Sequence, residues 1–190
     1  MKKYELTNET KTLAGGTVLH RIRALRDIPR FGVKAGELGG FVEGENNLSQ
    51  DGDAWVYGDA KISGNARVFG NAKVYGKAEI YGDAGVSDDA YIFGDAKVYG
   101  NACVSDNAEV STSSDYMVIK NIWSSGRWCT YTRSNKKWAV GCFYGTGEEL
   151  VAKAYKDSKL SGKCYEAIVH AVETIEAAKA KAKGESYGSK

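Results

Sequence analysis

Hydrophobic and polar positions alternate with a period of six over the middle third of the chain. From Val56 to Val110 every sixth residue is Val or Ile, and the unit continues with Gly-Asp, Gly-Asn or a close substitute and then a small residue, usually Ala. A fixed short period of this kind predicts a parallel β-helix. Three units make one triangular coil, whose β-branched and Ala side chains fill a narrow interior. The Gly-Asp and Gly-Asn pairs suit the turns between very short strands.

If three units make one coil, residues 18 apart lie above one another, and the coil has three outward faces. The first face carries Tyr57, Tyr75 and Phe93, together with Trp55, Lys73, Tyr91 and Glu109. The second carries Ser63, Tyr81 and Tyr99 beside a charge ladder of Lys61, Glu79 and Lys97, and the third carries Phe69, Ser87 and Ser105. Aromatic rows on two faces suggest a surface for a partner or for self-association. The alternative, left open here, is that these rings stack in solvent or are covered by the ends of the chain.

Residues 1–52 do not follow the six-residue pattern of the repeat. The segment from Thr17 to Ile28 alternates like a strand that Pro29 ends, and the Gly-rich segment 31–52 reads as an irregular first turn and N-terminal cap. A candidate anion site consists of basic side chains in this region, namely Arg21, Arg23, Arg26 and Arg30, with Lys34 nearby. The alternative is a solvated cationic edge that prevents edge-to-edge pairing of sheets.

After the repeat, which we assign to residues 53–115, the period changes. Residues 116–190 predict a small α+β unit of three strands, at 116–123, 127–133 and 138–144, followed by two helices. Thr146 and Glu149 make a capping box for a helix that runs to about Ser158, and Gly162 separates it from a second helix. The second helix has an apolar stripe of Cys164, Ile168, Ala171, Val172 and Ile175. We expect a disordered tail from about residue 184.

Charge and hydropathy narrow the class of protein. The formal net charge is +2, so we do not expect direct binding of nucleic acid. The charge is unevenly distributed, because residues 51–110 hold ten Asp/Glu against five Lys/Arg, a net of −5, and the remainder holds +7. We find no apolar run long enough to span a membrane and no signal peptide in this sequence. The prediction is a protein of the cytoplasm of a bacterial host cell, without membrane contact.

Four cysteines and two histidines lack the close spacing of metal ligands, so no metal site is predicted. A four-residue loop at 134–137 would place Cys129 directly opposite Cys142 on adjacent strands. These two residues would then form a disulfide or, in a reducing cytosol, remain as two packed thiols.

Two segments carry a resemblance to a known group of proteins. The segment LGGFVEGENNLSQDGDAWVYGDAKI, residues 38–62, followed by GNAKVYG-type units, resembles the YdcK-type hexapeptide-repeat proteins of bacteria and phages. The stretch TYTRSNKKWAVGCFYGTGEELVAKA, residues 130–154, resembles a small α+β domain that often follows such repeats. The resemblance implies a left-handed β-helix, often a homotrimer. It also carries an acyltransferase label that rests on repeat similarity.

An acyltransferase of this fold would need a catalytic site that the repeat region does not contain. Acyltransferases with this helix generally use a histidine as general base near a loop that projects from the coil. Residues 56–115 contain neither a histidine nor an inserted loop, which leaves His20 and His170 as candidate catalytic residues. Acetyl-CoA would be the cofactor in this alternative only, and otherwise no cofactor is predicted.

The sequence therefore predicts a non-enzymatic binding or scaffold protein that works through protein–protein contacts as a homo-oligomer, with a trimer favoured. Its aromatic faces would drive self-association, and its C-terminal unit would bind a protein partner. A second hypothesis is a phage counter-defence inhibitor, which would bind a bacterial immune complex or sequester its nucleotide signal. The arginine cluster or the clefts between subunits would then form the binding site.

Overall fold

A computed structural model describes the backbone of residues 2 to 187 and the side chains of residues 2 to 182. The structure is mainly β, because short parallel strands wind into a solenoid of about four turns. Two helices follow at the C-terminal end. The predicted combination of a β-solenoid with C-terminal helices is therefore confirmed.

The elements are as follows. Before the regular coils lie β1 (Tyr4–Thr12), β2 (Val18–Ala24) and β3 (Leu38–Val42), with 3-10 turns at Pro29–Phe31 and Glu45–Asn47. The short strands of the coils are β4 (Trp55–Val56), β5 (Lys61–Ile62), β6 (Arg67–Val68), β7 (Lys73–Val74), β8 (Glu79–Ile80), β9 (Gly85–Val86), β10 (Tyr91–Ile92), β11 (Lys97–Val98), β12 (Cys103–Val104) and β13 (Glu109–Val110). The C-terminal unit contains β14 (Tyr116–Lys120), β15 (Trp128–Thr132), β16 (Lys137–Val140), β17 (Phe143–Gly145), α1 (Gly147–Asp157) and α2 (Lys159–Tyr187).

Equivalent positions of successive coils stack directly on one another. The first face consists of β4, β7, β10 and β13, the second of β5, β8 and β11, and the third of β6, β9 and β12. Hydrogen bonds between coils hold this register, as from the Lys61 N–H to the Ala78 carbonyl at 2.9 Å. The Val or Ile of each unit and the Ala before it are buried, so Ile62, Ile80 and Val98 form one continuous interior column.

The first turn of the solenoid is irregular. Phe41 pairs with Lys61 and Leu48 forms a bridge with Val68, so partners here lie 20 residues apart, whereas those of the regular coils lie 18 apart. The sequence did not predict β1, whose residues are mostly polar. This strand pairs antiparallel with β2 and extends the sheet of the second face through β3. The predicted strand at 17–28 ends at Ala24, because the chain turns there to bury Ile28.

The N-terminal segment covers the open end of the solenoid. The Lys3 side chain is fully buried, and its ammonium donates to the carbonyl of Ala54 at 2.8 Å. It also approaches the carbonyls of Asp51 and Gly52 at 3.4 and 3.5 Å. Burial lowers the pKa of Lys3 to about 8. This lysine satisfies the Ala54 carbonyl at the mouth of the coil, whereas the Gly52 carbonyl also accepts a hydrogen bond from Arg26.

The C-terminal strands form an antiparallel sheet in the order β14-β15-β16-β17. The predicted register between Cys129 and Cys142 is wrong, because Thr132 pairs with Lys137 and Cys129 therefore lies opposite Val140. Both cysteines are free thiols, Cys129 buried and Cys142 exposed. The predicted third strand is split into β16 and β17 because Gly141 adopts a left-handed turn conformation, with φ of +59°.

The capping box at the start of α1 is confirmed, with the Glu149 N–H donating to the Thr146 hydroxyl at 3.2 Å. The predicted break at Gly162 is wrong, because the helices separate at Ser158, whose backbone is extended. Gly162 lies inside α2, where a Cβ would come within 2.3 Å of the Tyr155 ring. Close packing of the two helices, rather than a break, explains this glycine.

The predicted apolar stripe of α2 is rotated in the structure. Tyr165, Val169 and Val172 are buried against the sheet, whereas Ala171 and Ile175 are exposed and Cys164 and Ile168 are half-buried. The helix continues to Tyr187, into the predicted tail, and residues 188 to 190 lie outside the described residues. Within the described chain, neither helix combines the length and apolar character required to cross a lipid bilayer.

Candidate functional site

The first face is partly covered by the N-terminal segment. Trp55 is buried and meets the Tyr4 ring edge-on, with 6.5 Å between ring centroids. The Tyr57 hydroxyl donates to the Phe31 carbonyl at 3.3 Å. Two of the aromatic residues predicted to contact a partner, Trp55 and Tyr57, therefore contact the N-terminal segment of the same chain instead.

Farther along the first face, aromatic rings surround one cation. The Lys73 ammonium lies 5.2 Å from the Tyr57 ring centroid and 5.3 Å from that of Tyr75, and it lies 6.0 Å from the Tyr91 ring. The Tyr75 and Phe93 rings stack at 5.3 Å, and both residues are half-buried. Cation–π contacts of this kind stabilise the row without any external partner.

The third face is joined to the C-terminal unit. Thr130 accepts a hydrogen bond from the Cys103 N–H at 2.9 Å, and on the neighbouring first face Ser134 accepts one from the Glu109 N–H of β13 at 2.7 Å. The Tyr144 hydroxyl donates to the carbonyl of Ser105 at 3.3 Å. These bonds anchor the sheet of the C-terminal unit on the last coil, so this end of the third face is not available to a partner.

The second face retains an accessible aromatic row. Tyr81 and Tyr99 stack with ring centroids 5.3 Å apart, and 48% of Tyr99 is exposed. The Tyr116 ring of β14 meets Tyr99 edge-on at 6.5 Å, so the row continues from the solenoid into the C-terminal unit. Stacked and edge-to-face geometries are the favoured arrangements of aromatic pairs, so the row is held rigidly before anything binds.

A pocket of about 400 Å³ lies at this junction. Its walls are Tyr99, Gly100, Asn101, Ser113, Tyr116, Val118 and Trp128. Trp128 is 41% exposed, and the Lys120 ammonium lies 5.5 Å from its ring centroid. The pocket therefore combines apolar and aromatic walls with a few polar groups, which is the usual composition of a binding site.

Hydrogen bonds fix the wall that β14 contributes. The Tyr116 hydroxyl donates to the Lys97 carbonyl at 3.0 Å and accepts from the Tyr99 N–H at 3.3 Å. Burial raises the pKa of Tyr116 to about 12, so the hydroxyl keeps its proton at neutral pH. The contact between the last coils and β14 is therefore constant over the physiological pH range.

The charge ladder beside this row is partly neutralised within the chain, because one glutamate lies between two lysines. Glu79 lies between Lys61 at 2.9 Å and Lys97 at 3.4 Å. The hydrogen bond from Lys61 lowers the pKa of Glu79, and the charge of Lys97 acts in the same direction. Covering this ladder would bury charges that are already paired, which costs less than burying isolated ones.

The arginines predicted as an anion site each have a carboxylate or carbonyl partner. Arg21 contacts Glu9 at 2.9 Å, Arg23 contacts Glu5 at 3.4 Å and Arg30 contacts Asp89 at 2.6 Å. Arg26 donates to the Gly52 carbonyl at 3.0 Å, and Lys34 contacts Asp27 at 2.9 Å. Arg21 and Arg23 lie on β2, whereas Arg30 reaches a coil corner, so these contacts direct the arginines to different carboxylates.

The two candidate catalytic histidines lie on separate elements. His20 is half-buried on β2, with Nδ1 3.4 Å from the Thr7 carbonyl, and His170 is exposed on α2 in a groove with Glu166 and Glu173. Strands recur every six residues from β4 to β13, so no loop projects from these coils. Within the described residues, no group of three or more His, Cys, Asp or Glu side chains is placed to hold a metal ion.

Sequence reasoning found Tyr81 and Tyr99 but missed the wall that continues their row. Tyr116, Val118 and Trp128 follow the repeat, where the 18-residue stacking rule no longer applies. The alternation of the YMVIK strand could have indicated that Tyr116 and Val118 share a face. Their position beside Tyr99 depends on how the C-terminal unit docks. A scan against protein-family models and a search of curated proteins gave no match to this chain.

Proposed function

We propose that this chain is a non-enzymatic binding or scaffold protein that assembles with copies of itself, as a trimer, through the second face. Its solenoid would be a left-handed β-helix of hexapeptide repeats, of the YdcK type found in bacteria and phages, and it would act in the bacterial cytoplasm. The C-terminal unit would provide the contact to a protein partner. The observation that carries the proposal is the stacked row of Tyr81 and Tyr99, in which Tyr99 is 48% exposed and Tyr81 is half-buried.

Three features support self-association through this row. The first face is partly covered at Trp55 and Tyr57, and the C-terminal unit is anchored on the third. The rings of Tyr81 and Tyr99 are already ordered by stacking, so binding would cost little further side-chain entropy. The neighbouring ladder has Glu79 paired with both lysines, which lowers the cost of removing it from water.

Replacing Tyr81 and Tyr99 together by Ser should dissociate the contact that these rings make between copies. The substitution removes the stacked rings but leaves the buried interior of the coil intact, because both side chains point outward. Native mass spectrometry and sedimentation velocity at micromolar concentration would measure the mass, and circular dichroism would verify that the variant is folded. We expect the mass after the substitution to be one third of the mass before it.

Two further variants make this test specific. Phe69→Ser removes an exposed aromatic side chain from the third face and should leave the oligomer unchanged. Tyr75→Ser with Phe93→Ser removes the equivalent stacked pair of the first face. If only this last variant dissociates, the interface lies on the first face and our assignment is wrong. A single-chain mass for the unmodified protein at micromolar concentration would contradict self-assembly altogether.

A further inference from the structure

The C-terminal sheet has an unpaired edge beside the pocket. Strand β14 ends the sheet order, and in the described residues its only strand partner is β15. Two hydrogen bonds show which residues of β14 are hydrogen-bonded to β15. The Arg133 N–H donates to the Asp115 carbonyl, and the Asn121 N–H donates to the Arg127 carbonyl. Because such pairs alternate along antiparallel strands, the backbone groups of Tyr116, Val118 and Lys120 point away from β15.

Few of the usual protective features are found on this edge. Native edge strands are commonly shielded by proline, by a bulge, by charged side chains or by a covering segment. The five residues of β14, YMVIK, contain no proline, their register with β15 is unbroken, and Lys120 at one end is the only charge. Residues 116 to 119 are half-buried. The opposite edge, β17, has only three residues and leads directly into α1.

We propose that β14 pairs antiparallel with β14 of a second copy of this chain, with Val118 opposite Val118 of that copy. This register lets all five residues of the strand pair. It places Tyr116 opposite Lys120, and Met117 opposite Ile119. No two like charges face each other, whereas a register centred on Lys120 would oppose two lysines. The sheets of the two copies would then join into one continuous sheet.

The surroundings of the edge favour a second copy as the occupant. Val118 and Tyr116 form a wall of the pocket, and the exposed rings of Tyr99 and Trp128 form others. A two-fold pairing would bring these apolar surfaces of both copies to the same junction, so that they add to the backbone hydrogen bonds. Such a contact is isologous, in which each copy contributes the same surface. This inference goes beyond the proposed trimer, since it uses the backbone edge of β14 and a different symmetry, although Tyr99 lies beside both contacts.

A cysteine at position 118 tests the register directly. The background should carry Ser in place of Cys103, Cys142 and Cys164 and retain the buried Cys129. Residues opposite each other in a hydrogen-bonded pair have Cα atoms about 5.5 Å apart, within the range for a disulfide of about 4.4 to 6.8 Å. Under mild oxidation, the Val118→Cys variant should therefore run as a covalent dimer on a non-reducing gel.

Lys120→Cys is the matched control for this experiment. In the proposed register, the two copies of residue 120 lie at opposite ends of the paired segment, about 14 Å apart for four residues of strand. That variant should remain a single chain on the gel. Equal dimer yields from both variants, or no dimer from Val118→Cys, would overturn the proposal.

A mass measurement gives an independent test. Val118→Lys would oppose two ammonium groups across the edge, so it should halve the mass of the assembly in native mass spectrometry, whereas Val118→Thr should preserve it. A trimer without the cross-link would refute the edge pairing alone. A cross-linked assembly that Tyr81→Ser with Tyr99→Ser leaves unchanged would refute the trimer alone. A single-chain mass with no cross-link would refute both the trimer and the edge pairing. Strand β14 would then pair with a different protein or remain unpaired.

Discussion

Replacing Gly70 by Ala should destabilise the solenoid much more than replacing Gly100 by Ala, although both glycines have a φ of +66°. Each substitution places an L-residue in the left-handed region, at a cost of about 1 to 2 kcal/mol. At Gly70 the new Cβ would also lie 2.8 Å from the backbone nitrogen of Asp88 in the next coil. We find no atom within 4 Å of such a Cβ at Gly100 among the described residues.

The difference between the two variants isolates the contact between coils. Because the Asp88 backbone cannot move without disturbing the coil, we expect Gly70→Ala to cost about 1 to 3 kcal/mol more in the free energy of unfolding. Urea unfolding followed by circular dichroism would measure both values. Equal destabilisation would show that the coils do not stack as closely as described. Gly70→Asn separates the two costs. Asn and Asp tolerate the left-handed region, which Asp88 and Asp106 adopt at the equivalent corner, but Asn still places a Cβ against Asp88.

Lys3→Met should also strongly reduce stability. The Lys3 ammonium is fully buried, and the Ala54 carbonyl accepts its shortest hydrogen bond. Methionine has a similar length but cannot donate, so the carbonyl at the mouth of the solenoid would lose its side-chain donor. We expect a loss of about 1 to 3 kcal/mol in the free energy of unfolding. Lys2→Met is the matched control, since the neighbouring Lys2 is exposed and makes only a surface ion pair with Glu45.

The same lysine should give stability a distinctive pH dependence. Burial lowers its pKa to about 8 from the usual 10.5, so above pH 8 the folded chain releases a proton that the unfolded chain retains. Stability should therefore rise with pH between about 8 and 10, by at most about 2 kcal/mol from pH 7.5 to 9.5. Urea unfolding at these two pH values should show the rise in the unmodified chain and not in Lys3→Met. Identical slopes in both would mean that Lys3 titrates as if it were in water.

Local rules explain why the solenoid was predictable. The period of Val or Ile, Gly and Ala determines strand, turn and interior within a few residues, so each coil follows from its own sequence. The capping box of Thr146 and Glu149 is local in the same way, and it forms as expected. The strand β1 was missed because its residues are mostly polar, and its pairing partners lie on β2, far along the chain.

Predictions failed where a single residue decided the register. The expected pairing of Cys129 with Cys142 depended on the position of one loop, which begins one residue earlier than predicted, so that Cys129 faces Val140. The sequence predicts a helix break at Gly162 because glycine is a poor helix former. In the structure it allows the Tyr155 ring to approach, which is a requirement of the packing between α1 and α2.

By itself, the sequence determined the coil, its three outward rows and the aromatic character of two of them, since these follow from short-range periodicity. Only the tertiary structure decided which rows remain accessible. Tyr4 covers Trp55 on the first face, and the C-terminal unit is hydrogen-bonded to the third face. On the second face, Tyr116 extends the row of Tyr81 and Tyr99. The arginines predicted as an anion site likewise have carboxylate partners within the chain. These outcomes depend on contacts between segments far apart in the chain, and no local pattern encodes how such segments dock.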